Sequence, residues 1–296
     1  MRALLAFLAA IVGTLLLAAL LAWPAYQLLH PLAPAWWFDK IATRLWQLLM
    51  LVALVWVIRR LRLTTRADWG YGAPRPRWLR QFGIGLIAGL ASMLPVSVAM
   101  LLLGLRSLRP ELDGHALIAA LGAGVGSGLV VGFLEETFFR GLMQRAVLGE
   151  LREPLAGIVS VSLVYAALHF LASEHLPPAG LGWLSGVRLL ATAFSQFAAP
   201  APILDAFLSL AAIGLLLGLV SWWTDSIALA VGLHAAWVCV LRATIALTAG
   251  PNDGALAWLV NRGNGYLGWL VLGWTLLLTA VVVGSRGRFR HWRRRH

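Results

Sequence analysis

The chain contains few charged residues and a single cysteine. Only 12% of its 296 residues are charged and 60% are hydrophobic, whereas an average soluble chain carries about a quarter charged residues. Such a chain has too little polar surface for a water-soluble globule, which excludes a secreted disulfide scaffold, a disordered chain and an ordinary cytosolic enzyme. Cys239 has no second cysteine with which to form an intrachain disulfide. The composition therefore predicts a membrane protein.

Long apolar segments predict an all-α, polytopic membrane helix bundle, because a helix needs roughly 20 apolar residues to cross a bilayer. We expect about eight transmembrane helices, near residues 3–23, 45–58, 82–105, 116–139, 155–173, 205–223, 226–247 and 267–284. The first apolar run reaches Trp23 and is too long for a usual signal peptide, so we interpret it as a retained helix. Segment 181–203 is ambiguous between an interfacial helix and a re-entrant segment.

The net charge of +12 comes largely from two arginine clusters. They comprise Arg59, Arg60, Arg62, Arg66, Arg75, Arg77 and Arg80, and Arg286, Arg288, Arg290, Arg293, Arg294 and Arg295. With eight spans, both clusters and the N-terminus lie on one side, which the positive-inside rule makes cytoplasmic. Anionic lipid explains these clusters better than nucleic acid, since no zinc-finger spacing or aromatic RNA platform accompanies them. Arginine outnumbers lysine 23 to 1, which favours a bacterial inner (plasma) membrane.

Two of the twelve acidic residues, Glu135 and Glu136, are adjacent and follow a charge-free run. Ionisable residues inside a membrane are costly and by default suggest function. On a helix, Glu136 and Arg140 share a face and can form an ion pair, whereas Glu135 lies about 100° away around the axis. Glu135 could therefore accept a proton. The alternative is a pair at the headgroup level with no special function.

Two histidines, His169 and His234, lie in apolar segments, where a lone histidine is more often a packing residue. Glu135 and His169 are each 17 residues from residue 152, the middle of a polar turn. In an antiparallel helix pair they would lie at similar depth, provided that the first helix continues through Arg140. Together with His234 they could activate a water molecule, either through a bound metal or directly as base and oxyanion donors.

Glycines recur at spacings of two and four before the glutamates. They lack the offsets of a dinucleotide-binding loop, and no strand precedes them. Gly124, Gly128 and Gly132 are four residues apart, a spacing that allows a second helix to approach closely. We therefore predict tight helix packing here.

The chain resembles the CPBP family of intramembrane endopeptidases, which includes the type II CAAX prenyl proteases and the bacterial Abi and lysostaphin-resistance-type proteins. The family's first motif, E-E-x-x-x-R, is matched by Glu135, Glu136 and Arg140. The resemblance covers about residues 118–245. It suggests three regions: N-terminal helices with the arginine-rich loop (1–115), a CPBP-like catalytic core (116–247), and a last helix with a basic cytoplasmic tail (248–296).

The second and third motifs each differ at one position. F-x-x-x-H is read from Tyr165 to His169, with tyrosine for phenylalanine, and H-x-x-x-N from His234 to Val238, with valine for asparagine. Valine cannot donate a hydrogen bond, and removal of one oxyanion donor typically slows turnover about 100- to 1000-fold. Three alternatives stay open: another donor substitutes, catalysis is weak, or the protein is a non-hydrolytic relative. By residue type, the substitutes are Thr192, Ser195, Gln196 and Ser221.

The resemblance also implies roles for the matched residues. Glu135 would be the general base, His169 would help hold the water or a metal, and His234 would stabilise the oxyanion or complete a metal site. Glu136 and Arg140 would orient Glu135. The motifs leave open whether zinc or another divalent metal, or no metal, is bound.

We therefore predict an intramembrane endopeptidase that hydrolyses a peptide bond in a membrane-associated protein or peptide. One alternative is a non-catalytic membrane partner or immunity-type protein that retains the polar core. Another is a transporter or proton relay, which we favour least because no internal repeat is evident.

Overall fold

The computed structural model describes residues 1–171 and 175–285, which are predominantly helical. In chain order the elements are α1 (Arg2–Leu29), α2 (Phe38–Arg60), α3 (Arg75–Leu102), β1 (Ser107–Leu108), α4 (Gly114–Glu136), α5 (Gln144–Leu148), α6 (Pro154–Leu168), α7 (Ser185–Ala193), α8 (Ser195–Ala198), α9 (Leu204–Thr224), α10 (Ala228–Leu247), β2 (Thr248–Ala249) and α11 (Trp269–Gly284). The predicted all-α bundle is confirmed, and the two short strands form one antiparallel ladder.

Six helical stretches in the described residues are long and apolar enough to cross a membrane. They are Arg2–Leu29, Phe38–Arg60, Arg75–Leu102, Gly114–Leu148, Ala201–Thr224 and Ala228–Leu247. The shorter apolar helices α6 and α11 correspond to the other two predicted segments. The protein is thus a multi-pass membrane protein.

The chain folds as two compact units. Unit 1 comprises residues 1–64 and 167–201. In unit 1, α1 packs against α2 and α7. Helix α7 approaches α1 closely at Gly186, where an added Cβ would overlap the Ala19 carbonyl oxygen. The ambiguous segment 181–203 contains α7, α8 and a short 3-10 helix, Ala201–Ile203, and its interfacial or re-entrant character stays a prediction.

Unit 2 comprises residues 65–166 and 202–296 and is organised around α10. Helices α3 and α4 both pack against α10. A Cβ added to Gly124 would lie 2.9 Å from the Cys239 carbonyl oxygen, and one on Gly128 would overlap the Ala235 carbonyl oxygen. At Gly132 the added atom would lie 3.0 Å from the Ala235 nitrogen. The predicted close packing at these glycines is confirmed.

Helix α4 does not end near residue 139, as the apolar segment suggested. It continues through a π-helical segment, Thr137–Met143, into α5 and forms a helical stretch of 35 residues, Gly114–Leu148. The expected continuation through Arg140 is confirmed. The π-helical segment was not predicted, and such wide turns occur frequently at functional sites.

Helix α6 ends at Leu168, so the prediction of a helix through residue 173 is wrong. The backbone closes in a turn instead: the Phe170 amide donates to the Ala167 carbonyl, and the Leu171 amide donates to the Leu168 carbonyl. His169 therefore lies in a turn that directly follows α6. At 15 residues, α6 is only about 22 Å long at 1.5 Å per residue.

In unit 2, the β1–β2 ladder joins the α3–α4 connection to the start of the α10–α11 connection, with Ser107 opposite Ala249 and Leu108 opposite Thr248. The preceding residue, Arg106, is buried. Its guanidinium donates to Thr248 Oγ1 at 2.6 Å, to the Thr248 carbonyl oxygen at 3.2 Å and to the Gly265 carbonyl oxygen. Arg106 thus holds the 248–268 loop in place.

One sequence prediction concerns residues that the structure does not describe. The C-terminal arginine cluster, residues 286–295, lies outside the described residues. The division into regions 1–115, 116–247 and 248–296 follows sequence pattern rather than packing and stays a prediction.

Candidate active site

The expected ion pair joins Glu136, the last residue of α4, to Arg140 in the π-helical segment. Arg140 Nη1 donates to Glu136 Oε1 at 2.8 Å, and the two side chains are 1% and 0% exposed. Such burial is tolerated only when each charge is compensated. Glu136 Oε2 is also buried and has no hydrogen-bond partner in the part of the chain that the structure describes, so this oxygen can accept a further hydrogen bond.

His234, in the first half of α10, is bracketed by the two adjacent glutamates. Its Nδ1 lies 2.8 Å from Glu136 Oε1, and its Nε2 lies 3.9 Å from Glu135 Oε2. Because a carboxylate accepts hydrogen bonds, we assign a proton to His234 Nδ1, which donates it to Glu136 Oε1. The Glu135 side chain is 27% exposed, whereas that of Glu136 is fully buried. Two neighbouring carboxylates therefore have different environments on opposite sides of one imidazole.

Tyr165, near the end of α6, completes the contacts around this group. The Arg140 guanidinium carbon lies 4.5 Å from the centre of the Tyr165 ring. The same ring lies 6.3 Å from the His234 ring, centre to centre, at an interplanar angle of 80°. Phe139 packs edge-on against Tyr165 at 5.1 Å. We call Glu135, Glu136, Arg140, Tyr165 and His234 the polar cluster. In the sequence, Tyr165 was recognisable only as a motif position, with no predicted role.

Helix α9 supplies backbone oxygens to the same side of the helical stretch. Arg140 Nη2 donates to the Gly214 carbonyl oxygen at 3.3 Å, and Gln144 Nε2 donates to that of Gly218 at 3.0 Å. A Cβ on Gly218 would lie only 2.7 Å from Gln144 Oε1. Glycine on α9 therefore allows these polar side chains to reach its backbone. This contact was not predicted from the sequence, although glycines four residues apart are a usable signal for close helix packing.

The remaining predicted site residues have different placements. His169 belongs to unit 1, whereas the polar cluster belongs to unit 2, and its predicted role stays a prediction. Val238 lies one helical turn after His234 and is half-buried. Ser221, considered as a substitute donor, lies seven residues after Gly214 on α9, about 10 Å along the helix.

The donor set does not match a three-ligand metal centre. Among residues 1–171 and 175–285, no three His, Cys, Asp or Glu side chains group so that they could hold a metal ion. Glu135 and His234 Nε2 could contribute two ligands, but His234 Nδ1 is already engaged with Glu136. We therefore derive no step through a metal.

One comparison with known proteins matches the region that contains the polar cluster. Residues 117–240 match the family model of the type II CAAX prenyl endopeptidase, Rce1-like. These residues form an Rce1-like region. No curated protein and no solved structure matches the chain.

The Rce1-like region confirms the CPBP resemblance. It begins near the start of α4, ends within α10 and contains the whole polar cluster. At the family level, it supports a CAAX-type intramembrane protease that acts on a peptide in a lipid bilayer.

Proposed function

We propose that this protein is an intramembrane endopeptidase that hydrolyses a peptide bond in a membrane-associated protein or peptide, with Glu135 as the general base. The observation that carries the proposal is the pair of unequal glutamates beside His234. Arg140 and His234 both engage Glu136 Oε1, whereas Glu135 is partly exposed. A base must reach its substrate water; Glu135 is the less buried of the two side chains, although its Oε2, which faces His234, is itself buried.

In the proposed reaction, Glu135 takes a proton from water as the water oxygen bonds to the scissile carbonyl carbon. The carbonyl π electrons move to the oxygen and form an oxyanion. When the tetrahedral intermediate collapses, the carbon–nitrogen bond breaks and the proton held by Glu135 passes to the leaving nitrogen. The products are a carboxylic acid and an amine, so one water is consumed for each bond cleaved. Correctly positioned acid–base catalysis typically contributes about 100- to 10,000-fold.

His234 is proposed to stabilise the oxyanion through Nε2. Its Nδ1 lies 2.8 Å from Glu136 Oε1. This contact fixes the orientation of the imidazole ring, so that Nε2 faces Glu135. In the imidazolium form, Nε2 carries a proton and can donate to the oxyanion. Glu136 and Arg140 act through His234 and are positioning residues. By its motif position, His169 is proposed to help hold the attacking water.

We also propose that the protein lies in a bacterial inner membrane with both termini in the cytoplasm. The excess of arginine over lysine and the two arginine clusters support this orientation. Fusion of a reporter that fluoresces only in the cytoplasm to each terminus tests it. Fluorescence from both fusions is the expected result, and a dark fusion at either end would contradict the topology.

The activity itself is tested in cells and with purified protein. Wild type, Glu135→Gln and His234→Ala are expressed in a bacterial host, and new protein N-termini in the membrane fraction are labelled and identified by mass spectrometry. In parallel, the purified proteins in liposomes receive a farnesylated CAAX peptide or the same peptide without the farnesyl group. We expect wild type to generate cleavage products that both variants fail to generate.

Equal folding of the variants is checked by their melting temperatures in detergent. The endopeptidase proposal fails if wild type gives no Glu135-dependent product in either assay. Variants that keep a cellular phenotype but lose thermal stability would favour the non-catalytic partner protein instead.

A further inference from the structure

Residues 65–72, between α2 and α3, form a compact turn that we call the strap. The Thr65 amide donates to Asp68 Oδ2 at 2.7 Å, and the Asp68 amide donates back to Thr65 Oγ1 at 3.2 Å. The Tyr71 amide donates to the Arg66 carbonyl oxygen at 2.8 Å. These local bonds give the strap a shape of its own, because Thr and Asp side chains that bond nearby backbone groups stabilise turns.

The strap lies against the π-helical segment that follows Glu136. Tyr71 Oη is 2.7 Å from Thr137 Oγ1, at the first residue of the segment. A Cβ added to Gly141 would lie only 2.5 Å from the Trp69 carbonyl oxygen, so glycine at this position permits the backbone of the strap to approach closely. The strap therefore contacts the π-helical segment at its start and at its middle.

The direction of the hydrogen bond between Tyr71 and Thr137 follows from the second contact of Thr137. Thr137 Oγ1 lies 2.6 Å from the Phe133 carbonyl oxygen, which can only accept. A threonine hydroxyl has one proton, so Thr137 donates to Phe133 and Tyr71 donates to Thr137. The two hydroxyls thus form a chain that ends on the backbone of α4, one turn before the π-helical segment begins.

The strap also contacts the start of α10. The Ile227 amide, one residue before this helix, donates to the Gly70 carbonyl oxygen at 3.2 Å. Gly70 has a φ of +80°, which glycine adopts without strain, and a Cβ there would overlap the Ile227 side chain. His234 follows on α10, about two helical turns after Ile227. The strap therefore joins the two elements that carry Glu136 and His234.

The contact between Glu136 and His234 depends on how these two elements are placed. Glu136 Oε1 and His234 Nδ1 are 2.8 Å apart, and a hydrogen bond weakens steeply when its donor and acceptor are misaligned. The glycine contacts of α4 with α10, at residues 124–132, lie before Glu136. The strap supplies a connection to α10 on the other side of Glu136.

We propose that Tyr71 is a positioning residue: its hydrogen bond to Thr137 fixes the start of the π-helical segment and so holds Glu136 Oε1 against His234 Nδ1. The inference rests on the proposed endopeptidase function. Tyr71 acts through Thr137 and Glu136 and exchanges no proton in the reaction. Without its hydroxyl, the imidazole of His234 is less firmly oriented, and Nε2 is less well directed at the oxyanion.

The first test is Tyr71→Phe, which keeps the ring that stacks on Trp78 with its centre 5.9 Å away. For a peptide that wild type cleaves in the liposome assay, we expect kcat per folded molecule to fall about 10- to 100-fold with little change in KM. The matched control is Tyr266→Phe, which removes a buried hydroxyl 2.8 Å from Ser97 Oγ. Its kcat per folded molecule should equal that of wild type. Unchanged kcat in Tyr71→Phe, or equal losses in both variants, overturns the inference.

Substitutions of Thr137 test the same hydrogen bond from its acceptor and keep the inference testable if Tyr71→Phe does not fold. Thr137→Val removes the hydroxyl with little change in shape, whereas Thr137→Ser retains it. We expect Thr137→Val to be as slow as Tyr71→Phe and Thr137→Ser to be close to wild type. Because both residues act through one contact, the double variant Tyr71→Phe/Thr137→Val should be no slower than Thr137→Val. Losses that multiply in the double variant would contradict the shared contact.

His234 itself reports its orientation without any substrate. In purified protein that carries isotope-labelled histidine, the NMR signal of the His234 Nδ1 proton is identified by its absence from His234→Ala. We expect this signal to shift in Tyr71→Phe and in Thr137→Val and to stay in place in Tyr266→Phe. An unmoved signal in Tyr71→Phe overturns the positioning role, even if cleavage is slower.

The two levels of the argument fail separately. If wild type gives no Glu135-dependent product, the endopeptidase proposal fails, and the NMR signal still decides whether Tyr71 orients His234. If Glu135→Gln is inactive while Tyr71→Phe cleaves as fast as wild type, the endopeptidase proposal stands and only the Tyr71 inference fails.

Discussion

Two buried arginines in unit 2, Arg140 and Arg106, have different kinds of partner. Arg140 is paired with the carboxylate of Glu136 and lies against the Tyr165 ring. Within the described residues, Arg106 donates its hydrogen bonds to neutral oxygens of Thr248 and Gly265. Both guanidiniums are almost fully removed from solvent. Burial alone therefore does not distinguish the arginine of the polar cluster from the one that holds a loop.

The partners decide what each arginine can do. Arg140 compensates the charge of Glu136, which in turn holds one nitrogen of His234. If the proposed mechanism holds, a change at Arg140 should therefore alter the cleavage rate as well as the stability. Burial lowers the pKa of Arg106 from its ordinary value, and the nearby charge of Arg109 adds to this effect. Nothing titratable in the polar cluster is hydrogen-bonded to Arg106, so a change at Arg106 should affect stability alone.

The largest expected effect follows from removal of the Arg140 charge. Arg140→Leu leaves Glu136 as an uncompensated buried carboxylate, which typically costs about 3–5 kcal/mol. We expect a large drop in melting temperature in detergent and loss of cleavage. In the double variant Arg140→Leu/Glu136→Leu, stability should recover while cleavage stays lost. Recovery of both would contradict the positioning role of this pair.

A smaller effect is expected from Arg106→Leu, which leaves carbonyl oxygens near β2 without their donor. Each unsatisfied buried group typically costs about 1–3 kcal/mol. Chemical denaturation in mixed micelles should show lower stability, whereas the cleavage rate per folded molecule should equal that of wild type. A lower cleavage rate of the folded Arg106→Leu protein would contradict the claim that Arg106, unlike Arg140, affects stability alone.

Gly128 provides a packing-only comparison for the two arginines, because a substitution there disturbs the contact of α4 with α10 and removes no charged side chain. A Cβ on Gly128 would overlap the Ala235 carbonyl oxygen, whereas one on Gly122 meets nothing within 4 Å. Overpacking typically costs about 1–3 kcal/mol, so Gly128→Ala should lower the melting temperature. Gly122→Ala should leave it unchanged or raise it slightly, since alanine favours helix. Equal shifts in both variants would contradict the close approach.

Removal of divalent metals should have the smallest effect. The described donor set offers no three-ligand group, and Glu135 can act on water directly. Dialysis of the purified protein against a strong chelator should therefore change the cleavage rate less than twofold. Loss of activity that zinc restores would show that Glu135 and His234 act through a metal.

Much of the fold and part of the site followed from local patterns. Apolar length located the six helical stretches that are long enough to cross a membrane and the two shorter apolar helices α6 and α11. Glycine spacing predicted a close helix contact on α4 without identifying α10 as the partner. The four-residue spacing of Glu136 and Arg140 correctly predicted their ion pair, because a helical repeat fixes which side chains can meet. These features depend on neighbours close in sequence.

The features that were not predicted from the sequence depend on contacts between distant segments. Arg140, in the π-helical segment, and Gln144, directly after it, donate to carbonyl oxygens on α9, and no residue type near them indicates this contact from the sequence. The contact of Tyr165 with Arg140 and His234 joins three segments far apart in the chain. The end of α6 before His169 was missed because the apolar pattern continues past the turn.

The central claim is that Glu135 activates water for peptide-bond hydrolysis next to His234, which is positioned by the Glu136–Arg140 ion pair. The most direct test compares cleavage of one peptide by wild type and Glu135→Gln in liposomes of identical composition, with equal folding confirmed by melting temperature. We predict that Glu135→Gln is at least about 100-fold slower, as expected for loss of a general base. Equal rates for the two proteins would contradict the account.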